Sequence, residues 1–343
     1  MKKQLSIIAL LLAATGCINK VPIDFGEVTP QLVLNAQLMA EEDEQAIYLS
    51  ESTLATIKPL QGAEVTVLVD GKPYATAVEA DEVEQDNRYA SAYRFQGGFP
   101  AGSQVKVTAK KGSWDAWAQA EVIPRPVISA VDTLRSMERD IDYSYEVFQV
   151  KITFKDLPGN SYYWAGVRAN HLITQVGFNG EISEIPVTSE LAMSGSKDPV
   201  LGGATAGMSI FNLDKTYLAF SDEMFRDQEY TLRLTINSDR LYPFYYVMAD
   251  FAPSYFLIST SLVPWLESIS REEFDYLNAL NNLENFGYTA QVIVEPTTLP
   301  TNINGGLGFF AVRNRTEAAS VALPPVRIDY YYGTEDEQHA GQQ

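Results

Sequence analysis

One cysteine, Cys17, is all the thiol chemistry the chain has. That excludes an intrachain disulfide and a Cys-rich zinc knuckle. Histidine is nearly as scarce. His171 and His339 are the two in the chain, and neither has a Cys or His at ligand spacing, so no metal site is expected. Positive charge is the next shortage. The 25 Lys and Arg face 44 Asp and Glu, a formal charge of −19. So acidic a surface repels phosphate backbones and excludes nucleic acid as a partner. Beyond the first residues there is no apolar run long enough to span a bilayer. What remains is 46% apolar and 11% aromatic, the composition of a chain that folds around real cores.

The first residues carry the strongest local pattern. Lys2 and Lys3 precede apolar Ile7 to Ala14, and Ala14-Thr15-Gly16-Cys17 looks like a bacterial lipobox. In such a box the Cys thiol takes a diacylglycerol and the chain is cut in front of it. Residues 1–16 are expected to be a signal peptide. Residues 17–30, broken by Pro22, Gly26 and Pro30, are expected to be a lipidated linker. Cys17 is the expected lipidation site and the expected attachment to the membrane, with palmitate as an acyl group. Acylation leaves no thiol for catalysis.

The body reads as β. Gln31 to Leu38, Ala46 to Ser50, Ala63 to Val69, Arg88 to Phe95, Val105 to Ala109 and Trp117 to Ile123 are strand-like. Asp70-Gly71 and Gly97-Gly98 are turn signals. Short strands at this spacing predict a β-sandwich over 31–124, immunoglobulin- or transthyretin-like. Pro124-Arg125-Pro126 stiffens the chain and predicts a boundary crossed by few hydrogen bonds. Residues 125–332 then predict a larger β domain. Val147 to Phe154, Tyr162 to Val167, Ile173 to Phe178, Tyr217 to Phe220, Tyr230 to Ile236, Leu241 to Met248, Tyr255 to Ser259 and Gln291 to Val294 are its strand-like segments.

One segment breaks the pattern. Ser270-Arg271-Glu272-Glu273 is a capping box, with Ile269 and Phe274 placed as a hydrophobic staple. Phe274, Leu277, Leu280 and Leu283 recur at helical spacing and Gly287 can close the end, which predicts a helix near 271–285. Residues 333–343 are polar and are expected to be a disordered tail.

Catalytic patterns are thin. No G-x-S-x-G surrounds a serine, and Ser194-Gly195-Ser196-Lys197 matches S-x-x-K without its companion motifs. The acidic runs Glu41-Glu42-Asp43-Glu44, Asp81-Glu82 and Glu272-Glu273 read as solvated surface. Two of these acids in one cleft would be needed to cleave a glycoside. Gly306-Leu307-Gly308-Phe309-Phe310-Ala311 has dinucleotide-fingerprint letters, but an Asn/Pro/Thr-rich loop precedes it and an extended segment follows. It reads as a tight turn entering a strand. The triplets Tyr162-Tyr163-Trp164, Phe244-Tyr245-Tyr246 and Tyr330-Tyr331-Tyr332 alternate across a strand, so each sends at least one ring to a core and one outward. No catalytic residue and no cofactor are expected.

Several segments in order resemble one family. They are Gln31-Leu32-Val33-Leu34-Asn35, Ile47-Tyr48-Leu49-Ser50, Pro59-Leu60-Gln61-Gly62-Ala63-Glu64-Val65, Phe154 to Tyr163 with Asp156, Pro158 and the Tyr162-Tyr163 pair, Phe220 to Phe225 with Asp222, and Glu295-Pro296 followed by Asn302 to Phe310. Together they resemble domain-of-unknown-function family 4249, envelope lipoproteins of Bacteroidota, over about residues 17 to 332. The resemblance implies an outer-membrane lipoprotein, often encoded beside a TonB-dependent transporter, with no established catalytic residues. Surface-exported lipoproteins of that phylum tend to carry acids just after the Cys. Here Ile18-Asn19-Lys20-Val21-Pro22-Ile23-Asp24 follows, which leaves the membrane face open. The leading expectation is a non-enzymatic accessory or ligand-capturing partner of such a transporter. The alternatives are a structural or adhesive envelope protein and a glycan or peptide hydrolase.

Overall fold

A computed structural model describes residues 29–53, 57–80, 90–139, 144–177, 179–195, 197–202, 216–237, 241, 253–286 and 299–329. The expectations for the leader, Cys17, the linker up to residue 28, Asp81-Glu82, the strands Leu241 to Met248 (past Leu241) and Gln291 to Val294, Gly287, Glu295-Pro296, His339, the two later aromatic triplets and the tail lie outside the described residues.

The chain is mainly β. The first strands are β1 (Gln31–Met39), β2 (Glu44–Ser52), β3 (Ile57–Pro59), β4 (Glu64–Val69), β5 (Lys72–Glu79), β6 (Ser91–Gln96), β7 (Gln104–Lys111) and β8 (Trp114–Glu121). Then come β9 (Val127–Arg139), β10 (Ser144–Lys155), β11 (Tyr162–Gly177), β12 (Ile182–Glu190), β13 (Leu218–Ser221), β14 (Glu229–Asn237), β15 (Pro253–Ile269), β16 (Leu307–Glu317), β17 (Val321–Ala322) and β18 (Val326–Asp329). A single turn of helix sits at Pro199–Gly202, and the predicted helix runs Arg271–Phe286. Among the described residues no helix is long and apolar enough to cross a membrane.

Alternation builds the first half. β1 turns Leu32, Leu34, Ala36 and Leu38 inward, all nearly fully buried. They meet Ile47, Leu49, Val65, Val67, Tyr93, Val105 and Val107 in one core. The β4–β5 hairpin closes on Asp70 (φ 51°) and Gly71 (φ 74°), both left-handed as a two-residue hairpin of this twist requires. The sheet order β16-β1-β2-β6-β5-β4-β7-β8 folds back on itself, because Trp117 of β8 bridges Asn304, just ahead of β16.

The second half has two layers. β12, β11 and β15, with β13, β17 and β18 on β11 and β15, face the separate sheet β14-β10-β9. Val150, Ile152, Phe154, Tyr163, Val167, Leu232, Leu234 and Leu266 fill the space between. β11 and β15 are each single long strands where the sequence shows only fragments.

β16 joins the halves. Its first part pairs in parallel with β1, from Val33↔Leu307 to Met39↔Arg313. Its last part pairs antiparallel with β15, from Ser268↔Asn314 to Trp265↔Glu317. Ile303, Phe310 and Val312 therefore lie in the first half's core, so that half draws a strand from beyond the 31–124 span. The proline segment between the halves is also held. Ile123 O accepts from Asn314 Nδ2 at 3.0 Å, Pro124 O from Ser268 Oγ at 2.8 Å and Pro126 O from Thr316 Oγ1 at 2.5 Å. Arg125 pairs with Glu41. Proline removes donors but leaves its carbonyl, and β15 and β16 side chains use those carbonyls. The expectation of few crossing hydrogen bonds does not hold.

Candidate functional site

The family-like segments prove to be structural parts. Tyr163 donates its hydroxyl to Asp156 Oδ1 at 2.6 Å, and Asp227 N–H donates to Asp156 Oδ2 at 2.7 Å. Burial, followed by that hydrogen bond, pushes the Tyr163 hydroxyl well up. Asp222 N–H donates to Ser161 O at 3.0 Å, and Phe220 stacks on Tyr163 at 5.5 Å. The Asp156–Tyr163 segment and the Phe220–Phe225 segment thus meet in one aromatic cluster. Further on, Asn302 stands in for a strand. It accepts from Phe310 N–H at 2.9 Å and donates to Phe310 O at 2.7 Å. Gly308 has φ +108°, and a Cβ there would overlap the Leu34 carbonyl oxygen. Asn35 Oδ1 accepts from Phe309 N–H at 3.0 Å. The glycine-rich letters serve the close approach of β16 to β1.

Tyr163 points into the core and Tyr162 and Trp164 point to the other face of β11, as alternation requires. On that face the helix Arg271–Phe286 settles. Leu277 is buried against Ala219 and Ile269, with Phe274 and Leu280 beside it, while Leu283 is exposed. Tyr276 stacks on Phe309 of β16 at 4.1 Å. Half of the capping box forms: Glu273 N–H donates to Ser270 Oγ at 3.1 Å. The Glu273 carboxylate turns instead to Arg313.

That pair belongs to a buried network. Arg313 Nε also lies 3.7 Å from Glu267 Oε2, and Arg315 Nε donates to Glu267 Oε1 at 2.7 Å. Arg313 lies over the Trp164 ring at 4.4 Å and Arg315 over the Trp265 ring at 4.3 Å. At the network's solvent-facing rim Trp265 donates to exposed Glu190 at 2.9 Å, and Arg168 grips exposed Glu317 with two bonds of 2.6 and 2.9 Å. At the buried centre the Arg313 and Arg315 guanidinium groups balance the Glu267 and Glu273 carboxylates, so the charge there is close to neutral. Burial pushes the Glu273 carboxyl up, Arg313 pulls against it, and Glu267 adds to the rise. Sealed as it is, the Glu267–Glu273 pair offers no access to a substrate. It positions the helix against β15 and β16.

In front of the helix start lies a cleft of about 580 Å³ between the halves. Gln104, Gln119 and Glu121 of β7 and β8 form one wall, and Asn160, Tyr162 and Glu272 the other. Its size is within the range of ligand pockets, about 300–1,000 Å³. Glu121 and Glu272 are both solvent-exposed, whereas a glycosidase acid works from desolvated surroundings.

The other candidates are placed as follows. His171 is buried, its Nδ1 2.9 Å from Thr260 Oγ1, and burial lowers its pKa. Ser194 exchanges backbone hydrogen bonds with Thr235, and Ser196 is outside the described residues. Among the described residues no group of three His, Cys, Asp or Glu is placed to hold a metal ion. The network residues Glu267, Arg313 and Arg315 carry no sequence signal, because charges in strands read as solvent-facing until their cross-strand partners are known.

The chain belongs to the family described as domain of unknown function (DUF4249), whose model matches residues 18–319. No curated protein matches it.

Proposed function

We propose that the chain is an outer-membrane lipoprotein of the Bacteroidota type, tethered through acylated Cys17, that acts as a non-catalytic accessory or ligand-capturing partner of a TonB-dependent transporter. The observation that carries the reading is the lipobox-like Ala14-Thr15-Gly16-Cys17 behind a short apolar run. A tether of that kind keeps a binding module at high local concentration beside its receptor. The body behind it suits the role. The buried Glu267 and Glu273 are offset by Arg313 and Arg315, the buried Asp156 and Asp198 are held by hydrogen bonds, and the family-like segments are spent on packing, which leaves loops, sheet faces and the junction cleft for contact. The division into a unit built on 31–124 and one built on 125–332, sharing β16, is part of this reading.

The anchor is tested by metabolic labelling with a palmitate analogue. Wild type is expected to take the label and Cys17→Ser to take none and to remain unprocessed. Label retained in the Ser variant would sink the anchor and the reading with it. Recovery of a transporter from native membranes decides between the accessory role and an adhesive one.

A further inference from the structure

One wall of the junction cleft is a strand edge that is open among the described residues. In the β7–β8 hairpin, Lys111 and Trp114 flank a two-residue turn. Antiparallel pairing then alternates: Ala116, Ala118 and Ala120 aim their N–H and C=O at β7, and Asp115, Trp117, Gln119 and Glu121 aim theirs away. Trp117 bears this out. Its N–H donates to Asn304 O at 3.0 Å, and Asn304 N–H donates to Trp117 O at 2.8 Å. Val122, of the opposite parity, exchanges bonds with Gly102 and Ser103 on the β7 side. Asn304 is the last residue of the covering chain to pair with this edge among the described residues; Asn302 turns its side-chain amide to Phe310 instead. The outward backbone groups of Gln119 and Glu121 have no hydrogen-bond partner among the described residues, and both residues line the cleft.

We propose that the cleft receives an extended, basic segment of a partner protein, which adds to β8 as a short strand beyond Asn304. The inference rests on the partner-binding reading above and names the chemistry of the contact. An unpaired edge supplies main-chain hydrogen bonds to a peptide backbone, and its neighbours select side chains. The selection is for positive charge. The Glu121 and Glu272 carboxylates both line the cleft and have no ion-pair partner among the described residues. Among the described residues the single cation lining it is Arg271, which lies 3.8 Å from its own Asp275. The exposed side chains of Gln104, Gln119 and Asn160 offer both donors and acceptors, and Tyr162 with Pro124 and Pro158 gives an apolar wall for an alternate side chain. A sugar has no repeating N–H and C=O to match the edge, so the strand edge favours a peptide over a glycan.

The test uses the full mature chain and a fluorescein-labelled octapeptide alternating valine and lysine, read by anisotropy. Controls are the valine–glutamate peptide, the lysine peptide N-methylated at alternate amides, and maltohexaose as competitor. The lysine peptide is expected to bind saturably and the glutamate peptide about tenfold or more weakly. N-methylation on the edge-facing amides should abolish binding, and maltohexaose should not compete. Glu121→Gln and Glu272→Gln should each weaken binding about three- to fivefold, less at high salt. Both residues are exposed, so these variants keep the fold. No saturable binding, equal binding of the two charge types, indifference to N-methylation, or displacement by maltohexaose would overturn the proposal. Absent peptide binding with a transporter still recovered from membranes overturns the cleft alone. Intact peptide binding with no transporter recovered overturns the functional reading alone.

Discussion

Replacing Arg313 by Met is expected to cost about 3–5 kcal/mol, because it strands a buried carboxylate without its counter-ion. Glu267 keeps Arg315 at 2.7 Å. Glu273, fully buried at the start of the helix, keeps no partner of opposite charge among the described residues. The sign of the pH dependence follows from its raised pKa. A carboxyl whose folded pKa lies above its unfolded value binds a proton more readily in the folded state. Its penalty is therefore present above the folded pKa and is relieved as pH falls through it. The deficit of Arg313→Met should shrink on acidification, and the double change Arg313→Met with Glu273→Leu should recover much of it at neutral pH. Urea unfolding at several pH values checks all three. A deficit below about 1 kcal/mol at neutral pH would mean that the network is wetter than the structure has it.

Gly308→Val is expected to cost at least about 3 kcal/mol, since it adds both a disfavoured φ and an overlap with backbone. The colliding atom is the Leu34 carbonyl oxygen on β1, which has no rotamer by which to withdraw. Because β16 supplies Phe310 and Val312 to the first core, the damage should appear as lost amide protection along β1. Gly112→Ala is the control. It sits at the β7–β8 hairpin tip with positive φ and open space around it, so it carries the backbone strain alone, about 1–2 kcal/mol. Equal effects at the two positions would show that β16 does not lie against β1.

Local patterns made part of this fold legible. The inward Leu32, Leu34 and Leu38 mark β1, Asp70-Gly71 marks a hairpin, and Ser270 with Glu273 marks a helix start within a residue of where it lies. β9 was not legible. Val127 to Arg139 is exposed at Val127, Leu134 and Met137, shows no clean period, and is a strand because β10 pairs with it along nearly its whole length. In the sequence β15 shows only a fragment, because Ser259, Thr260 and Ser261 interrupt its apolar run and Pro264 follows. Pro264 is tolerated because it falls between the β16 and β17 pairings, where no ladder needs its N–H, and its carbonyl accepts from Ala318 N–H at 2.8 Å. The parallel pairing of β16 with β1 joins residues 274 apart, as Phe309 and Asn35 are, and no periodicity encodes a partner. The same holds for the site. A turn at Gly306-Leu307-Gly308 could be read from its letters, but the backbone it approaches could not. Buried Glu267 and half-buried Arg315 become a pair only once β15 and β16 are side by side.

The most direct test of the proposed role is a crosslinking pull-down of the wild-type lipoprotein from native membranes, at native expression and at low and high salt. The account predicts that a TonB-dependent transporter is recovered, more strongly at low salt because a chain with 44 acids against 25 bases would meet a basic surface. An interface of about 1,200 Å² or more is what a specific contact of this kind needs. Recovery of no transporter at either salt would contradict the account and bring the adhesive envelope role to the front.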